Sequence, residues 1–280
     1  MDLTALAATA GIDVPAQRWQ QLRTNTDATT WRADRFIVKA DHTGQAAHIL
    51  PVLEQLGIPV PELVNHTVYP DGRHLTVTRY IDHDPDHRLT ADQWAQAAAA
   101  LQPLHQAGRD RLTSAGVALE RYALSQPARV AVRLERCSQA GGWHAAAARQ
   151  LGPVATAAAA ALDGDVSDEV AIHSDLHAGN LLVDTSGRVT IIDWDLLRQG
   201  PAEFDLAPLA VEVATGDRPQ AHLDVALTAR PDLNPHRIHL LARFKQATAA
   251  SYHLAESIGD DTAAREAAQR LETLGLHVRR

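Results

Sequence analysis

The chain has 280 residues, 45% of them hydrophobic, and 26 basic against 34 acidic residues give it a formal net charge of −8. This composition excludes a disordered chain, argues against duplex nucleic acid as a partner and, with one cysteine, excludes an internal disulfide and a cysteine-based zinc site. No apolar run is long enough for a membrane span and the start lacks a basic signal segment, so we expect a cytoplasmic protein, monomeric or weakly dimeric, with no membrane partner.

The first 80 residues predict a small part rich in β-strands. The segment RFIVKA favours a strand because Phe36, Ile37 and Val38 suit a pleated surface. A helix that Gly57 ends should follow, and Pro51 inside it favours a kink or a broken first half. PDGR is typical of a hairpin turn. The expected strands cover 18–23, 29–34, 35–40 and 74–81, with one more after PVPELV, and the expected helix covers 45–56.

From about residue 82 the pattern becomes mainly helical. Thr90 should open a helix that Gly108 closes, and two alanine-rich helices should flank Gly141 and Gly142. The class is therefore α+β, with one part over 1–80 and a larger part over 81–280. The other expected elements are strands at 169–173, 181–183 and 189–192 and helices at 235–258 and 262–274.

Lysine is rare in this chain. Of the 26 basic residues only Lys39 and Lys245 are lysines, which leaves 26 − 2 = 24 arginines. Such a skew is typical of a biased genomic base composition. Two explanations stand for each lysine that remains in such a chain: a functional role, or chance. Lys39 lies on the third expected strand, whereas we expect Lys245, on a late helix, to lie on the surface.

Most residues that could carry chemistry lie in one segment, AIHSDLHAGNLLVDTSGRVTIIDWD, over residues 171–195. Asp175 and Asn180 are five residues apart on a loop between two strands, and Asp193 directly follows the strand VTII. A hairpin that turns at Gly187 would return Asp193 to the neighbourhood of Asn180. Carboxylate and amide oxygens suit Mg²⁺, which typically keeps few protein ligands and binds substrate phosphates as well.

The same spacing indicates phosphoryl transfer. In protein kinases the catalytic-loop Asp precedes an Asn after four intervening residues, and a metal-binding Asp follows a hairpin. Asp175, Asn180 and Asp193 reproduce this order. A lysine on the third strand of the small lobe contacts the α- and β-phosphates in those enzymes, which gives Lys39 a role.

The segments HSDLHAGNLL, IIDWD, GPAEFDLA and LQPLHQAG resemble the aminoglycoside phosphotransferase and choline kinase-like family. The resemblance implies a bilobal protein-kinase-like fold that phosphorylates a small-molecule hydroxyl with ATP or GTP. It implies that Asp175 is the base and that Asn180 and Asp193, with Asp195 for a second ion, hold Mg²⁺. It further implies that Lys39 contacts the phosphates and that backbone groups near Thr78 and Tyr80 contact the purine base of the nucleotide. Asp205 would brace the loop of Asp175, in which His173 is a structural residue.

Three positions depart from the family pattern. Ser174 stands where glycine is common, and the loop that should cover the phosphates, with Asn25 and Thr26, lacks glycine. The first helix also lacks the usual Glu that pairs with the strand lysine. Either Glu54 reaches Lys39 through a shifted helix, or Lys39 is held without an ion pair.

Several alternatives remain open at this stage. The net charge of residues 81–280, 19 − 26 = −7, suits a cationic acceptor such as an aminoglycoside, but a small metabolic alcohol, amino alcohol or sugar is the main alternative. A nucleotide-binding pseudokinase is a further alternative, and its only support is the missing Glu of the helix. A zinc or iron hydrolase built on His173, His177 and Asp193 would leave Asn180 and Lys39 without roles.

Overall fold

The computed structural model describes residues 3–24, 28–162 and 168–278. The helices are α1 (Leu3–Ala10), α2 (Gln45–Gln55), α3 (Ala91–Ala100), α4 (Arg109–Ser114), α5 (Tyr122–Ala140), α6 (Gly142–Ala159), α7 (Ala207–Ala214), α8 (Gln220–Ala229), α9 (Pro235–Glu256) and α10 (Asp261–Thr273). The strands are β1 (Trp19–Thr24), β2 (Ala28–Ala33), β3 (Phe36–Asp41), β4 (Leu63–Val68), β5 (His74–Arg79), β6 (Val170–Ile172), β7 (Leu181–Val183), β8 (Val189–Ile191) and β9 (Arg198–Gly200).

The chain forms two compact units, each built from separate stretches of sequence. The first unit combines Met1–Leu89, Ala100–Ala118 and Ala178–Leu196, and the second combines Thr90–Ala99, Leu119–His177 and Leu197–Arg280. Each unit therefore draws on sequence beyond any single cut near residue 80. Among the helices of the described residues, none combines the length and the apolar character that a membrane crossing requires.

The first unit contains an antiparallel sheet with the strand order β1-β2-β3-β5-β4. The predicted strands and the predicted helix α2 are confirmed, whereas α1 was not predicted. On β3, Phe36, Val38 and Ala40 point into a core with α1, because side chains alternate between the faces of a strand. Ile37 and Lys39 point to the opposite face, where they line a cavity.

The helix α2 runs without interruption from Gln45 to Gln55 despite Pro51. The buried carboxylate of Asp41 accepts hydrogen bonds from the backbone N–H groups of Thr43 and Gly44 just before the helix begins, at 2.8 and 2.7 Å. The predicted end at Gly57 is confirmed by its left-handed φ of 75°.

One predicted helix end is wrong. Thr90 and Gln93 form the expected start of α3 through reciprocal hydrogen bonds. Gly108, however, has a right-handed φ of −63° and continues into α4 through a π-helical turn. The glycine that follows the end of α4 is Gly116, whose φ is 79°. Gly108 is buried within this continuous stretch, so its small size is used for packing and not for chain reversal.

The second unit has a helical core that alanine dominates. The helices α5, α6, α9 and α10 pack together through small side chains, which allow close approach of the helix axes. The short strand β6 pairs with β9, a strand that was not predicted. The buried core residues at the helix contacts include Ala147, Ala148, Leu151, Ala247, Ala250, Leu254 and Ala267.

Candidate functional site

The first unit contains a cavity of about 450 Å³, here called the sheet cavity, on the face of its sheet opposite the core with α1. Strand residues, the helix α2, the segment after β5 and the end of the β7–β8 hairpin all contribute to it. Its lining includes Leu22, Thr30, Ile37, Lys39, Ala46, Leu50, Thr76, Thr78, Tyr80, His83, Leu182, Ile192, Asp193 and Asp195. Lys39, Thr78, Tyr80, Asp193 and Asp195, all predicted site residues, therefore line one cavity. Its volume lies within the usual range of small-molecule sites.

Lys39 makes an ion pair with Asp195 inside this cavity. Glu54 lies exposed near the C-terminal end of α2. Lys39 is therefore held by an ion pair, and its partner is Asp195 and not Glu54. Both alternatives expected from the sequence are wrong. The short turn that carries Asp195, Trp194–Leu196, packs against α2 in the same unit.

Asn180 and Asp193 flank the two strands of a hairpin. The strands β7 and β8 pair from Leu181 with Ile191 to Val183 with Val189, and the chain turns at Gly187. The backbone N–H of Ile192 donates to the carbonyl of Asn180 at 3.0 Å. This bond confirms that the hairpin returns the chain beside Asn180. Asp193 has a left-handed φ of 61°, which turns the chain sharply as the strand ends.

The donor atoms of Asn180 and Asp193 fit a magnesium ion. Both offer oxygen, the ligand atom that hard divalent cations prefer. Among the residues described, no three His, Cys, Asp or Glu side chains are grouped as metal ligands. This gives no support to a zinc or iron site on His173, His177 and Asp193.

The loop that carries Asp175 belongs to the second unit and is braced by Asp205. The buried Asp205 carboxylate accepts hydrogen bonds from the backbone N–H groups of His173 at 3.1 Å and Ser174 at 2.8 Å, as the family resemblance implied. Ser174 has a φ of 67°, in the region that favours glycine. Its departure from the family pattern therefore falls on a position where the backbone is strained.

The carboxylate of Asp175 is held by Lys245. The Lys245 Nζ lies 2.8 Å from Asp175 Oδ1 and 3.3 Å from the carbonyl oxygen of Ser174. Burial raises the pKa of Asp175, but the charge and hydrogen bond of Lys245, helped by His177 and His173, outweigh this and hold the pKa below its usual value. The expectation that Lys245 lies on the surface is wrong, and the only sequence signal for its role was the scarcity of lysine.

A second cavity, here called the helix cavity, lies in the second unit beside this ion pair and has a volume of about 520 Å³. The helices α7, α9 and α10 form its walls, and polar side chains dominate. It is lined by His177, Pro208, Val211, Glu212, Thr215, Asp217, Lys245, Gln246, Ala249, Glu266, Gln269, Arg270 and Thr273.

The acidic side chains of the helix cavity are partly neutralised. Glu212 pairs with Arg218 at 2.9 Å, and Glu266 pairs with Arg270 at 3.1 Å. Asp217 accepts the hydroxyl of Thr215 at 2.6 Å. The cavity is therefore mixed in charge, and the acidic balance of the sequence overstates how negative this surface is.

The segment after β5 offers fewer backbone donors than the sequence suggested. The N–H of Tyr80 donates to the carbonyl of Arg35 at 2.9 Å. This N–H is therefore used within the sheet, while the guanidinium of Arg32 stacks over the Tyr80 ring at 3.8 Å. Asn25 and Thr26, which were expected to cover the phosphates, lie outside the described residues.

Comparisons with known proteins agree with this architecture. Spectinomycin phosphotransferase APH(9)-Ia, solved with ADP and spectinomycin, has a TM-score of 0.72 and 18% identity over 97% of this chain and 91% of its own. The GDP and kanamycin complex of APH(2")-IIIa has a TM-score of 0.70 and 15% identity over 98% of both chains. A choline/ethanolamine kinase family protein from Mesorhizobium loti has a TM-score of 0.67 and 20% identity, over 96% of this chain and 92% of that one.

These likenesses confirm the expected kinase-like α+β fold. No curated protein sequence matches the chain. The model of the phosphotransferase enzyme family, APH, matches residues 18–241, a stretch that includes both the sheet cavity and the loop of Asp175. Because this match covers most of the sequence, the chain belongs to the phosphotransferase enzyme family.

Proposed function

We propose that this protein is a small-molecule kinase that transfers the γ-phosphoryl group of ATP or GTP to a hydroxyl group. The observation that carries the proposal is the 171–195 segment. Within it, Asp175 sits on a braced loop with an ionised carboxylate, and a hairpin brings Asn180 and Asp193 together. Kinases use an aspartate as the base for phosphoryl transfer, followed along the chain by two side chains whose oxygen atoms bind the metal ion.

The sheet cavity is the proposed nucleotide site. Lys39 offers a fixed positive charge for the phosphates, and the apolar Ile37, Leu50 and Leu182 offer a surface for the base. The relatives solved with ADP and with GDP support a nucleotide as donor. Asn180 and Asp193 would hold Mg²⁺, which supplies neutralisation of the charge that develops on the phosphoryl oxygens.

In the proposed reaction the oxygen of the acceptor hydroxyl forms a bond to the γ-phosphorus. The bond between that phosphorus and the β–γ bridging oxygen breaks, and its electron pair leaves with the nucleoside diphosphate. The hydroxyl proton passes to the carboxylate of Asp175. Most of the acceleration comes from positioning and from charge stabilisation, because the chain forms no covalent intermediate.

The helix cavity is the proposed acceptor site. Its hydroxyl, amide and carboxylate groups suit a polyhydroxylated molecule, and Asp217 suits an amino group on it. None of the described residues that line it is Phe, Tyr or Trp, the side chains that usually enclose a quaternary ammonium group. An amino sugar or aminocyclitol, as in aminoglycoside antibiotics, therefore fits better than choline, and a neutral sugar is the next candidate.

The test is an acceptor screen that measures release of nucleoside diphosphate. The purified protein would be supplied with Mg²⁺, ATP or GTP, and a panel of aminoglycosides, aminocyclitols, sugars and amino alcohols. Release should depend on the acceptor and be lost in Asp175→Ala. Nucleotide binding without release on any member of the panel would contradict the proposal and favour a pseudokinase.

A further inference from the structure

Lys245 is held in place by three different groups of the second unit. Its Nζ donates to the carboxylate of Asp175 at 2.8 Å and to the carbonyl of Ser174 at 3.3 Å, and it lies 5.7 Å from the centre of the Phe204 ring. Phe204 is fully buried, so this ring is a fixed neighbour. The carboxylate, the carbonyl and the aromatic face together limit the positions that the ammonium group can take.

Lys245 also lines the helix cavity. An ammonium group has three N–H donors, and the bonds to Asp175 and Ser174 use two of them. These two bonds leave one N–H of a side chain that lines the cavity. A lysine suits this place because it presents a compact point charge, whereas the guanidinium of an arginine is a wide planar fork.

We propose that Lys245 is a positioning residue for phosphoryl transfer. It binds Asp175 and Ser174 and so fixes the orientation of the base, while its remaining N–H meets an oxygen of the acceptor. This inference rests on the function proposed above. It adds a residue from α9, 70 positions from Asp175 in sequence, to the machinery of the 171–195 segment.

The step that Lys245 would assist is the transfer of the hydroxyl proton to Asp175. A carboxylate that already carries a proton cannot accept this one, so the rate should fall as pH decreases through the pKa of Asp175. Lys245 keeps that pKa low against the effect of burial. His177 and His173 also lower the pKa of Asp175, and Asp175 in turn helps raise the pKa of the buried Tyr122.

The test compares Lys245→Met, Lys245→Gln and Lys245→Arg with the wild type, using an acceptor that the screen identifies. In the Met and Gln variants kcat should fall on the order of 10- to 100-fold, because an unfixed base loses its alignment with the hydroxyl. The Kd for nucleotide should not change. The acid limb of the kcat/KM profile should move to higher pH in both variants and return toward the wild-type position in Lys245→Arg, which keeps the charge.

Arg243→Met is the matched control, since Arg243 is an exposed cation on the same helix. It removes the same charge from α9 without touching Asp175, and it should leave kcat and the acid limb unchanged. Thermal unfolding of every variant would show whether a loss of activity reflects a loss of folded protein. An unmoved acid limb in folded Lys245→Met, or an equal effect of Arg243→Met, would overturn the inference.

The two proposals fail in different ways. If no acceptor is phosphorylated by the wild type, the proposed function fails. The pKa of the Asp175 carboxyl can still be followed by carbon NMR of aspartate-labelled protein, with Asp175→Asn to assign the signal. A pKa that rises in Lys245→Met but not in Arg243→Met would support the role of Lys245 in holding Asp175 ionised, and an unchanged pKa would refute it.

Discussion

The side chain of Lys39 on β3 forms an ion pair with Asp195, although 156 residues separate the two in the sequence. The helix α2, which follows β3, offers no acidic residue before Glu54, which is exposed. Asp195, on the turn that follows Asp193, therefore supplies the negative charge that pairs with Lys39, the lysine that we propose to bind phosphate. This relationship gives Asp195 a role besides the metal contact that the sequence suggested, and it removes the argument that a missing Glu favours a pseudokinase.

Asp195→Asn should weaken nucleotide binding by about 1.4- to fivefold, since a partly exposed ion pair contributes roughly 0.2–1 kcal/mol and its loss leaves Lys39 without its partner. Calorimetric titration with ADP measures this, once with Mg²⁺ and once with a chelator present. A weakening in both conditions indicates the lysine contact. A weakening only with Mg²⁺ would instead assign Asp195 to the metal. Glu54→Gln is the control and should bind ADP as the wild type does.

Ser174 should tolerate glycine and resist branched residues. Its φ of 67° is strained for any residue with a β-carbon and most strained for one branched at that atom. Ser174→Val should lower the free energy of unfolding by about 1–3 kcal/mol, whereas Ser174→Gly should stay within about 1 kcal/mol of the wild type. Denaturant unfolding measures both. Equal stability of the Val and Gly variants would contradict the strained conformation.

Asp205 should stabilise the loop of Asp175 and so support turnover. Asp205→Asn keeps the size of the side chain but replaces one acceptor oxygen with an amide that faces a buried backbone N–H. The free energy of unfolding should fall by about 2 kcal/mol, and kcat should fall while the Kd for ADP holds. Asp224→Asn, at an exposed position of α8, should change none of these. A normal kcat in Asp205→Asn would show that the loop needs no brace.

Stability should decrease in mildly acidic solution because of His66. Burial, His74 and His48 lower the pKa of His66 below its ordinary value of 6.5, while Asp41 opposes this. Below pH 6.5, His66 is protonated in the unfolded chain but remains neutral in the folded protein. The free energy of unfolding therefore decreases as the pH falls, until the lowered pKa of His66 is reached.

Thermal unfolding followed from about pH 8 to about pH 5 measures this effect. In His66→Asn the Tm should decrease less as the pH falls, because the side chain with the lowered pKa has been removed. The exposed His236→Asn should leave the slope as it is. If both variants keep the wild-type slope, His66 does not carry the pH dependence.

The sequence predicted the parts of the fold that depend on local patterns. Alternating β3 and the turn at Gly187 were predictable because strand periodicity and glycine turns act over a few residues. The short strand β9 was not, since Arg198–Gly200 has no strand pattern of its own and exists by pairing with β6. Gly108 was misjudged because a buried glycine inside a helix looks the same in sequence as one that ends it.

The sequence could nominate candidate site residues where they are neighbours in sequence. Asp175, Asn180 and Asp193 share one segment, and their spacing carried the prediction. The partners of the two lysines come from distant sequence, so no spacing could identify them. Both lysines of this arginine-rich chain nevertheless pair with aspartates of the 171–195 segment, Lys39 with Asp195 and Lys245 with Asp175. The scarcity of lysine was therefore the one signal in the sequence that pointed to Lys245.

The measurement that tests the central claim most directly is mass spectrometry of the acceptor after incubation with the protein, Mg²⁺ and nucleotide. Wild-type protein should convert an amino sugar or aminocyclitol into a product that is heavier by one phosphoryl group, and Asp175→Asn should not, although it still binds ADP. A phosphorylated product formed equally by Asp175→Asn, or no phosphorylated product from any hydroxylated acceptor, would contradict the account.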